Sequence, residues 1–343
     1  MFSDFKVELF FGNNKVTYKK LNQFSYPFSN INNIEALSNS IDSSHININL
    51  YYKSELDWEG IFFIKKIKNL LYIFSGGRFG FCGFFPILKK RPITDYLETL
   101  KIELSKKNIE SYSLTATLFD KSINTLKANA NWTLSKITYY VADVKHSVSK
   151  DGLRLESFKK NMRKNIKRNL RMAHSFSNYI TITKDLNDIK AWYKFCHLKR
   201  IKELNGKSWD INLIFKLVKK GNAHLVMVKD SDKNAIGGCI MLISNKIIEL
   251  FMMSTTKKYL SLGINYLLTE FIYNYAYSKN IDQINWQASN PQNGSGAKYK
   301  VKWNAFPTEF HIYSNNPGKQ LTKDYLISNF NNCYLYPYEE LKK

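Results

Sequence analysis

Residues 155–174 alternate between apolar and basic positions with helical spacing. At 100° per residue, the apolar positions fall on one side of a helix and the basic positions fall on the other. The apolar side holds Leu155, Phe158, Met162, Ile166, Leu170 and Ala173, and the basic side holds Lys160, Arg163, Lys164, Lys167 and Arg171. The pattern predicts an amphipathic helix with a strongly cationic outer face.

The rest of the second half alternates between helical and strand-like periods, and it predicts a strand meander followed by β-α-β. Turn residues at 230–234 separate two apolar runs, as in a hairpin. The predicted strands are 179–183, 223–229, 235–244, 246–254, 281–288 and 307–313, and the predicted helices are 186–204, 212–219 and 262–278. A mixed sheet flanked by helices follows from this order.

The first half shows a fainter version of the same order. Its predicted strands are 46–52, 60–66, 70–75, 111–116 and 133–141, and its predicted helices are 94–107 and 121–130. We therefore expect an α/β fold of two related domains, residues 1–150 and residues 151–343. The boundary is predicted in the polar stretch Lys145–Gly152.

Composition favours a packed protein in a reducing compartment. Of the 343 residues, 44% are hydrophobic, and no uncharged apolar stretch reaches the roughly 18 residues of a membrane helix. The start of the chain does not resemble a signal peptide. The four cysteines (Cys82, Cys196, Cys239, Cys333) form no C-x-x-C pair, so neither a disulfide framework nor a zinc site is expected. We predict a cytoplasmic protein, associated at most with the inner face of a membrane.

Positive charge is concentrated in the second half of the chain. The net charge is +23, and residues 151–343 contribute 31 basic and 15 acidic side chains to it. Four of the seven arginines lie between Arg154 and Arg171. Arginine binds phosphate and carboxylate in a bidentate manner. A polyanionic partner is therefore predicted, namely a nucleotide, coenzyme A, tRNA or an anionic lipid head group, although a lysine-rich surface can also be merely solvated.

Two segments are candidates for binding a phosphate. The basic helix would use Lys160, Arg163 and Lys167, with a solvated helix face as the alternative interpretation. At the start of the predicted helix 262–278, Leu262 and Gly263 would place free backbone N–H groups near an anion. Ser261 as an ordinary N-cap explains that segment equally well.

Three further segments carry candidate chemistry. The block 298–303 interleaves lysines with Tyr299 and Trp303, and a lysine there would stabilise a tetrahedral oxyanion. The Gly-rich loop 76–85 contains Arg78 and fits either a closing loop or a structural crossover. His197 and Arg200 lie three apart on a helix, whereas the adjacent Cys196 and His197 diverge and cannot form a dyad. H-E-x-x-H, Walker A, Rossmann and G-x-S-x-G motifs do not occur.

Together, these motifs resemble the FemAB-like transferases of the GNAT superfamily, especially the subgroup known as BioF2-like. The resemblance rests on the basic run from Lys160 to Arg171, on His197 with Arg200, on Gly237-Gly238, and on the block ending at Trp303. It covers about residues 155–310. In the first half it rests on the Gly-Gly-Arg-Phe-Gly loop and the element order.

This resemblance implies tandem GNAT-like domains, with mixed central sheets flanked by helices and a donor site in the second domain. The family's F-K-x-x-F/W element corresponds to 299–303, which makes Lys300 the group that stabilises transition-state charge, with Tyr299 beside it. Here Tyr replaces Phe, and Asn304 stands where glycine is common. The predicted substrate-binding residues are Arg78, Phe79, His197, Arg200, Trp286 and Lys298.

The implied activity is transfer of an acyl or aminoacyl group from acyl-CoA or aminoacyl-tRNA. The acceptor would be an amine or hydroxyl of a cell-envelope sugar, a nucleotide sugar, a lipid-linked sugar or a peptidoglycan precursor, as in polysaccharide biosynthesis. No metal or tightly bound cofactor is expected. Two other classes remain open: a non-catalytic nucleic-acid-binding protein that uses the basic helix 155–174, and a peripheral protein held by lysines on an anionic membrane.

Overall fold

The computed structural model describes residues 4–12, 27, 30–40, 42–67, 70–75, 83–109, 111–115, 133–205, 208–288 and 295–314. The chain divides into two compact units. The first contains residues 1–24, 28–138 and 308–343, and the second contains residues 25–27 and 139–307. A single boundary near residue 150 was predicted. Apart from the short stretch 25–27, the chain passes between the units at 138/139 and at 307/308, within a strand each time.

The first unit is built on a mixed sheet with the strand order β1-β2-β3-β4-β6-β15, and β5 also pairs with β3. Its strands are β1 (Phe5–Phe11), β2 (Ser44–Tyr52), β3 (Glu55–Ile67), β4 (Leu70–Phe74), β5 (Gly83–Pro86) and β6 (Ser111–Thr115), together with the end of β15 (Ala305–Ser314). Its helices are α1 (Ile31–Ser40) and α2 (Leu97–Ser105), the latter preceded by the 3₁₀ turn Ile93–Tyr96. Strands β4 and β6 are parallel and the other pairs with a described register are antiparallel. The predicted helix 121–130 lies outside the described residues.

One apolar cluster of the first unit lies on a single face of this sheet. Ile46, Ile48 and Leu50 alternate along β2 toward that face and are fully buried, as a period of two requires. Leu100 and Leu104 of α2 belong to the same apolar cluster. Helix α2 therefore covers the face that the sequence pattern of β2 makes apolar.

The second unit is built on a sheet with the order β7-β14-β13-β12-β11-β10. Its strands are β7 (Thr133–Asp143), β10 (Ile180–Thr183), β11 (Ala223–Lys229), β12 (Ala235–Ile243), β13 (Ile247–Thr255) and β14 (Gln283–Ala288), with β8 (Val148–Ser149) and β9 (Gly152–Leu153) as a separate hairpin. Strands β13 and β14 are parallel, and the other pairs with a described register are antiparallel. The predicted meander and its following β-α-β are present.

The helices of the second unit are α3 (Lys160–Ala173), α4 (Leu186–Trp192), α5 (Leu198–Glu203), α6 (Ile211–Lys219), α7 (Ile264–Ser278) and α8 (Ser295–Lys302). Short turns of helix occur at Val144–Ser147, Leu155–Ser157, His174–Tyr179 and Lys257–Leu260, and a π-helical turn at Tyr193–His197 joins α4 to α5. Asp185 and Asp210 cap α4 and α6 by accepting hydrogen bonds from backbone N–H groups of their first turns. Helix α3, which was predicted over 155–174, begins five residues later than predicted, at Lys160, after the 3₁₀ turn Leu155–Ser157.

Two adjacent glycines of β12 position the helices on both faces of this sheet. A Cβ on Gly237 would lie 2.8 Å from Ile264 of α7, and a Cβ on Gly238 would lie 2.7 Å from the indole nitrogen of Trp192 in α4. Because successive strand residues point to opposite faces, α7 and α4 lie on opposite sides of the sheet. Helix α3 packs on α7 and therefore belongs to the α7 side.

Candidate functional site

Lys300 lies on α8 with its ammonium group at the end of β14. Its Nζ donates hydrogen bonds to the carbonyl oxygens of Gln287 at 2.8 Å and Ala288 at 3.1 Å. The same nitrogen lies 5.5 Å from the centroid of the Tyr140 ring. The charge of Lys300 is therefore fixed beside the backbone of β14 and does not swing freely in solvent.

The part of β14 that receives Lys300 is a bulge. The ladder with β7 shifts register between Asn285 and Ala288, and Gln287 has a left-handed φ of 63°. Asn285 Oδ1 accepts a hydrogen bond from the Gln287 backbone N–H at 2.9 Å. A non-glycine residue in this conformation costs about 1–3 kcal/mol and persists only when its surroundings hold it. Asn285 and Lys300 provide that restraint, the first at the N–H of Gln287 and the second at its carbonyl oxygen.

Glu249 of β13 is a carboxyl group that the sequence analysis missed. It pairs with Asn285 in the β13–β14 register and is fully buried. Burial raises its pKa to about 8, while Gln287, Asn285 and the charge of Lys300 act in the opposite direction. Among the described residues, neither carboxyl oxygen has a hydrogen bond of normal geometry, nor do the side-chain nitrogens of Asn285 and Gln287, so these amides lower the pKa without satisfying the carboxyl group. The signal in the sequence was a single glutamate within the apolar run 247–253.

Tyr299 and Trp286 belong to a buried aromatic cluster next to Lys300. The ring of Tyr299 lies 5.9 Å from Trp286, 5.6 Å from Tyr266 and 6.5 Å from Trp303, measured between centroids. Trp286 Nε1 donates to the hydroxyl of Tyr273 at 3.2 Å. Burial raises the pKa of Tyr299, which keeps its phenol neutral. The structure therefore brings the predicted residues Tyr299 and Trp286 together, and Lys300 follows Tyr299 on the same helix.

Helix α3 is tied to this cluster through its inner face. The hydroxyl of Tyr266 donates to Asn165 Oδ1 at 2.5 Å. Lys160 and Lys167 lie on the outer face and are exposed. Arg163, which was predicted to bind phosphate with them, donates instead to the carbonyl oxygens of Phe158 and Glu156, the latter at 2.7 Å. Its guanidinium thus caps the turn that precedes its own helix.

Gly263 has a packing role at the predicted phosphate site. Its φ is 78°, and a Cβ there would lie 2.2 Å from the carbonyl oxygen of Asn169. The first turn of α7 therefore approaches the backbone of α3 more closely than a side chain permits. The neighbouring Leu262 is 37% exposed.

His197 lies on the other face of the sheet, in a buried clamp of two hydroxyl groups. Its Nδ1 is 2.8 Å from Ser254 Oγ and its Nε2 is 2.8 Å from Ser208 Oγ. Burial lowers the pKa of His197 to about 4, so the imidazole is neutral at physiological pH. Arg200 does not share this environment, because its Nη1 pairs with Glu203 at 2.8 Å. The two side chains are separated by the local packing and not brought together.

The remaining predicted site residues are peripheral or undescribed. Lys298 is exposed on α8. Arg78 and Phe79 lie outside the described residues, so the structure assigns them no position. Among the described residues, no set of three or more His, Cys, Asp and Glu side chains is arranged to hold a metal ion. Within the same residues, no helix combines the length and apolarity that crossing a bilayer demands.

Solved structures with this arrangement share almost no sequence with the chain. FemX superposes with a TM-score of 0.63 at 12% identity, over 89% of this chain and 96% of that one. The C-terminal domain of a putative lysylphosphatidylglycerol synthetase from Agrobacterium fabrum gives 0.58 at 8%, over 87% and 90%. A tandem GNAT protein from the clavulanic acid pathway gives 0.50 at 9%, over 90% and 98%. The chain has the FemAB-like, tandem GNAT fold. No protein-family model and no curated protein sequence matches it.

The predicted α/β class and the resemblance to FemAB-like proteins are thereby confirmed at the level of the fold. Sequence identities of 8–12% show a shared fold and do not identify the substrate of this chain. The roles of individual residues accordingly remain predictions that rest on the geometry described above.

Proposed function

We propose that the protein is an acyltransferase of the FemAB-like type, which moves an acyl or aminoacyl group from acyl-CoA or aminoacyl-tRNA to an amine or hydroxyl. The observation that carries the proposal is the Lys300 ammonium, fixed by two carbonyl oxygens at the β14 bulge and 5.5 Å from the centroid of the Tyr140 ring. A cation held this way needs no rearrangement when a negative charge develops nearby.

In the proposed reaction, the acceptor nitrogen or oxygen attacks the donor carbonyl carbon, and the bond to the thiol or to the tRNA ribose oxygen breaks. Lys300 stabilises the oxyanion of the tetrahedral intermediate. The apolar rings of Trp286 and Tyr299 exclude water, which strengthens that interaction. Glu249 is the carboxyl group proposed to accept the proton of the attacking group, because a pKa near 8 suits proton transfer at neutral pH.

The donor is proposed to bind along α3. Lys160 and Lys167 project from its outer face, and the described residues supply neither with a carboxylate partner. Phosphates of coenzyme A or tRNA would satisfy them. Gly263 lies where α7 approaches α3 and fixes the relative position of the two helices, and the exposed Leu262 precedes it.

The acceptor is proposed to be a cell-envelope precursor, on the basis of the fold shared with FemX and with a lysylphosphatidylglycerol synthetase domain. Lys298 is exposed and would contact it, and the buried Trp286 would shape its site. The predicted contacts His197 and Arg200 lie on the α4 side of the sheet, away from Trp286, so they would act on the acceptor only through the packing of β13. Arg78 and Phe79 remain proposed contacts from the sequence alone. We place the enzyme in the cytoplasm.

The test removes the charge of Lys300 while keeping the length of its side chain. Lys300→Met should lower turnover by about 100-fold or more, the range seen when a preorganised oxyanion donor is lost. Lys302→Met, two residues along the same helix, is the matched control and should retain activity. Products from panels of acyl-CoA and aminoacyl-tRNA donors would be measured by mass spectrometry. Equal turnover by both variants would remove Lys300 from the reaction.

A second candidate function is nucleic-acid binding without catalysis, favoured by the exposed lysines of α3. It predicts salt-dependent RNA binding that Lys160→Gln and Lys167→Gln weaken, with no product from any donor. Transfer activity that depends on Lys300 would exclude it.

A further inference from the structure

The helical segment 193–203 presents two large apolar side chains to solvent. Phe195 is 51% exposed and Leu198 is 40% exposed. On the inner side of the same segment, Trp192, Cys196 and His197 are buried. The sequence is therefore apolar on both sides of one helix, and the packing of the sheet accounts for only one of them.

Lysines surround the exposed apolar pair. The Nζ atoms of Lys194 and Lys199 lie 5.2 Å and 5.9 Å from the centroid of the Phe195 ring. Lys202 is exposed one turn further along the same stripe, since positions three and four apart share a helix face. The nearby carboxylate, Glu203, is already paired with Arg200. Lys194, Phe195, Leu198, Lys199 and Lys202 are called the Phe195 face below.

The Phe195 face is held rigidly outward. His197 is hydrogen-bonded on both ring nitrogens, and Trp192 fills the space that Gly238 leaves open. Rotating the helix to bury Phe195 would break this clamp and withdraw Trp192 from the core. The exposed rings and ammonium groups are thus a fixed feature of the surface, and their exposure requires an explanation.

We infer that the Phe195 face docks on the surface of an anionic phospholipid bilayer. Phe195 and Leu198 enter the boundary between head groups and acyl chains, and the three lysines contact lipid phosphates. This inference goes beyond the proposed transferase activity and does not rest on it. It assigns the protein a membrane-facing side, opposite to the side of the sheet that carries α3 and α7.

Two other occupants fit the same face less well. A single-stranded nucleic acid would stack on Phe195 and pair with the lysines, but it would leave the aliphatic side chain of Leu198 without an apolar partner. A second copy of the chain would bring two sets of three lysines together, with no described carboxylate free on the face to neutralise them. A bilayer satisfies the aromatic ring, the aliphatic side chain and the positive charge together.

The experiment is co-sedimentation of the full chain with vesicles of phosphatidylcholine alone or containing phosphatidylglycerol. The wild type should bind the anionic vesicles, and binding should weaken as salt rises from about 0.1 M to about 1 M. Replacing Lys194, Lys199 and Lys202 by Gln should reduce the partition coefficient by about fivefold per lysine. Phe195→Ser should reduce it about tenfold and leave the fold intact, because the ring is already solvated.

The matched control replaces Lys160, Lys164 and Lys167 of α3 by Gln, which removes the same charge from the opposite side of the sheet. This variant should lose much less vesicle binding than the variant of the Phe195 face. Equal losses in the two triple variants, or unchanged binding by Phe195→Ser, would overturn the inference. So would RNA binding that requires the Phe195 face while vesicles fail to sediment the protein, because that result assigns the face to nucleic acid.

Discussion

Gly263 shows how a single glycine can permit two helices to approach closely. Its left-handed φ of 78° is unfavourable for other residues, and the Asn169 carbonyl oxygen occupies the space of a Cβ. Gly263 was predicted from the sequence to contact a phosphate. Its required role is the packing of α7 against α3, which no local pattern could reveal, because the partner lies about a hundred residues earlier in the chain.

We therefore expect Gly263→Ala to destabilise the protein by about 2–4 kcal/mol, from combined backbone strain and overlap with Asn169. Gly152→Ala is the control: its φ is 107°, but no atom of the described residues lies within 4 Å of the added methyl group. That change should cost about 1–2 kcal/mol, from strain alone. Urea unfolding followed by circular dichroism would measure both. Equal costs would show that the contact with Asn169 relaxes freely.

The residues of the candidate site were predictable only where they form a local motif. Tyr299, Lys300 and Trp303 lie within five residues. The ring of Tyr299 lies near those of Trp303 and Trp286, and Lys300 bonds to the backbone of β14. Glu249 was missed because its role depends on Asn285 and Gln287 of a neighbouring strand. Arg163 was predicted to bind an anion, but two backbone carbonyl oxygens that only the preceding turn creates now occupy its guanidinium.

At the scale of elements, the His197 clamp joins the π-helical turn to β13 and to the segment before α6. Ser254 belongs to β13, and Ser208 precedes the cap of α6. A neutral imidazole donates from one nitrogen and accepts at the other, so the two serines have opposite roles. The helix predicted over 186–204 from a uniform 3.6-residue period did not anticipate this π turn.

We expect Ser254→Ala to cost about 1–3 kcal/mol, since it leaves a buried imidazole nitrogen without a partner. Ser208→Ala should cost less, because Ser208 is only half-buried and water can replace its hydroxyl. The control Ser278→Ala removes an exposed hydroxyl bonded to a nearby carbonyl and should change stability by less than about 0.5 kcal/mol. Thermal unfolding of the three variants would test this order. A Ser254→Ala variant as stable as the control would show that the clamp contributes nothing.

At the scale of the whole molecule, two buried groups make stability depend on pH in opposite directions. The folded-state pKa of His197 is lowered to about 4. Its contribution to the free energy of unfolding is therefore fully present above the unfolded-state pKa near 6.5 and is lost as the pH falls toward 4. The folded-state pKa of Glu249 is raised to about 8, so its contribution is present below about 4.5 and is lost as the pH rises. Between about pH 4.5 and pH 6.5, a falling pH therefore removes the stabilisation from His197 and restores the stabilisation from Glu249.

Glu249→Gln isolates one of these trends. The wild type should lose a few kcal/mol of unfolding free energy between about pH 4.5 and pH 8 relative to this variant, because only the wild type must bury an ionising group. The difference between the two proteins cancels the contributions of the other titrating groups. Chemical denaturation at several pH values would measure it. A constant difference across the range would mean that Glu249 is not desolvated in the folded protein.

Much of the molecule's architecture could be predicted from periodicity, and the remainder depends on contacts distant in sequence. The meander β11–β13 is apolar over its length, as strands buried on both faces are. Helix α1 was missed because its asparagines and serines are weak helix formers. Strand β15 pairs with β6, about two hundred residues away, and a pairing of that separation leaves no local signal by which to divide the chain.

The glycine pair of β12 has a consequence for how the second unit is assembled. Because Gly237 admits α7 and Gly238 admits α4, one dipeptide specifies the docking position of both helical layers. Inserting a single residue before this pair would place a side chain at the position that admits α7, while the displaced Gly237 would take the place of Gly238 beside α4. The position of this dipeptide in β12 thus sets where both helices pack. We therefore expect insertions and deletions in the strand to destabilise the protein far more than equal changes in the hairpin turn that precedes it.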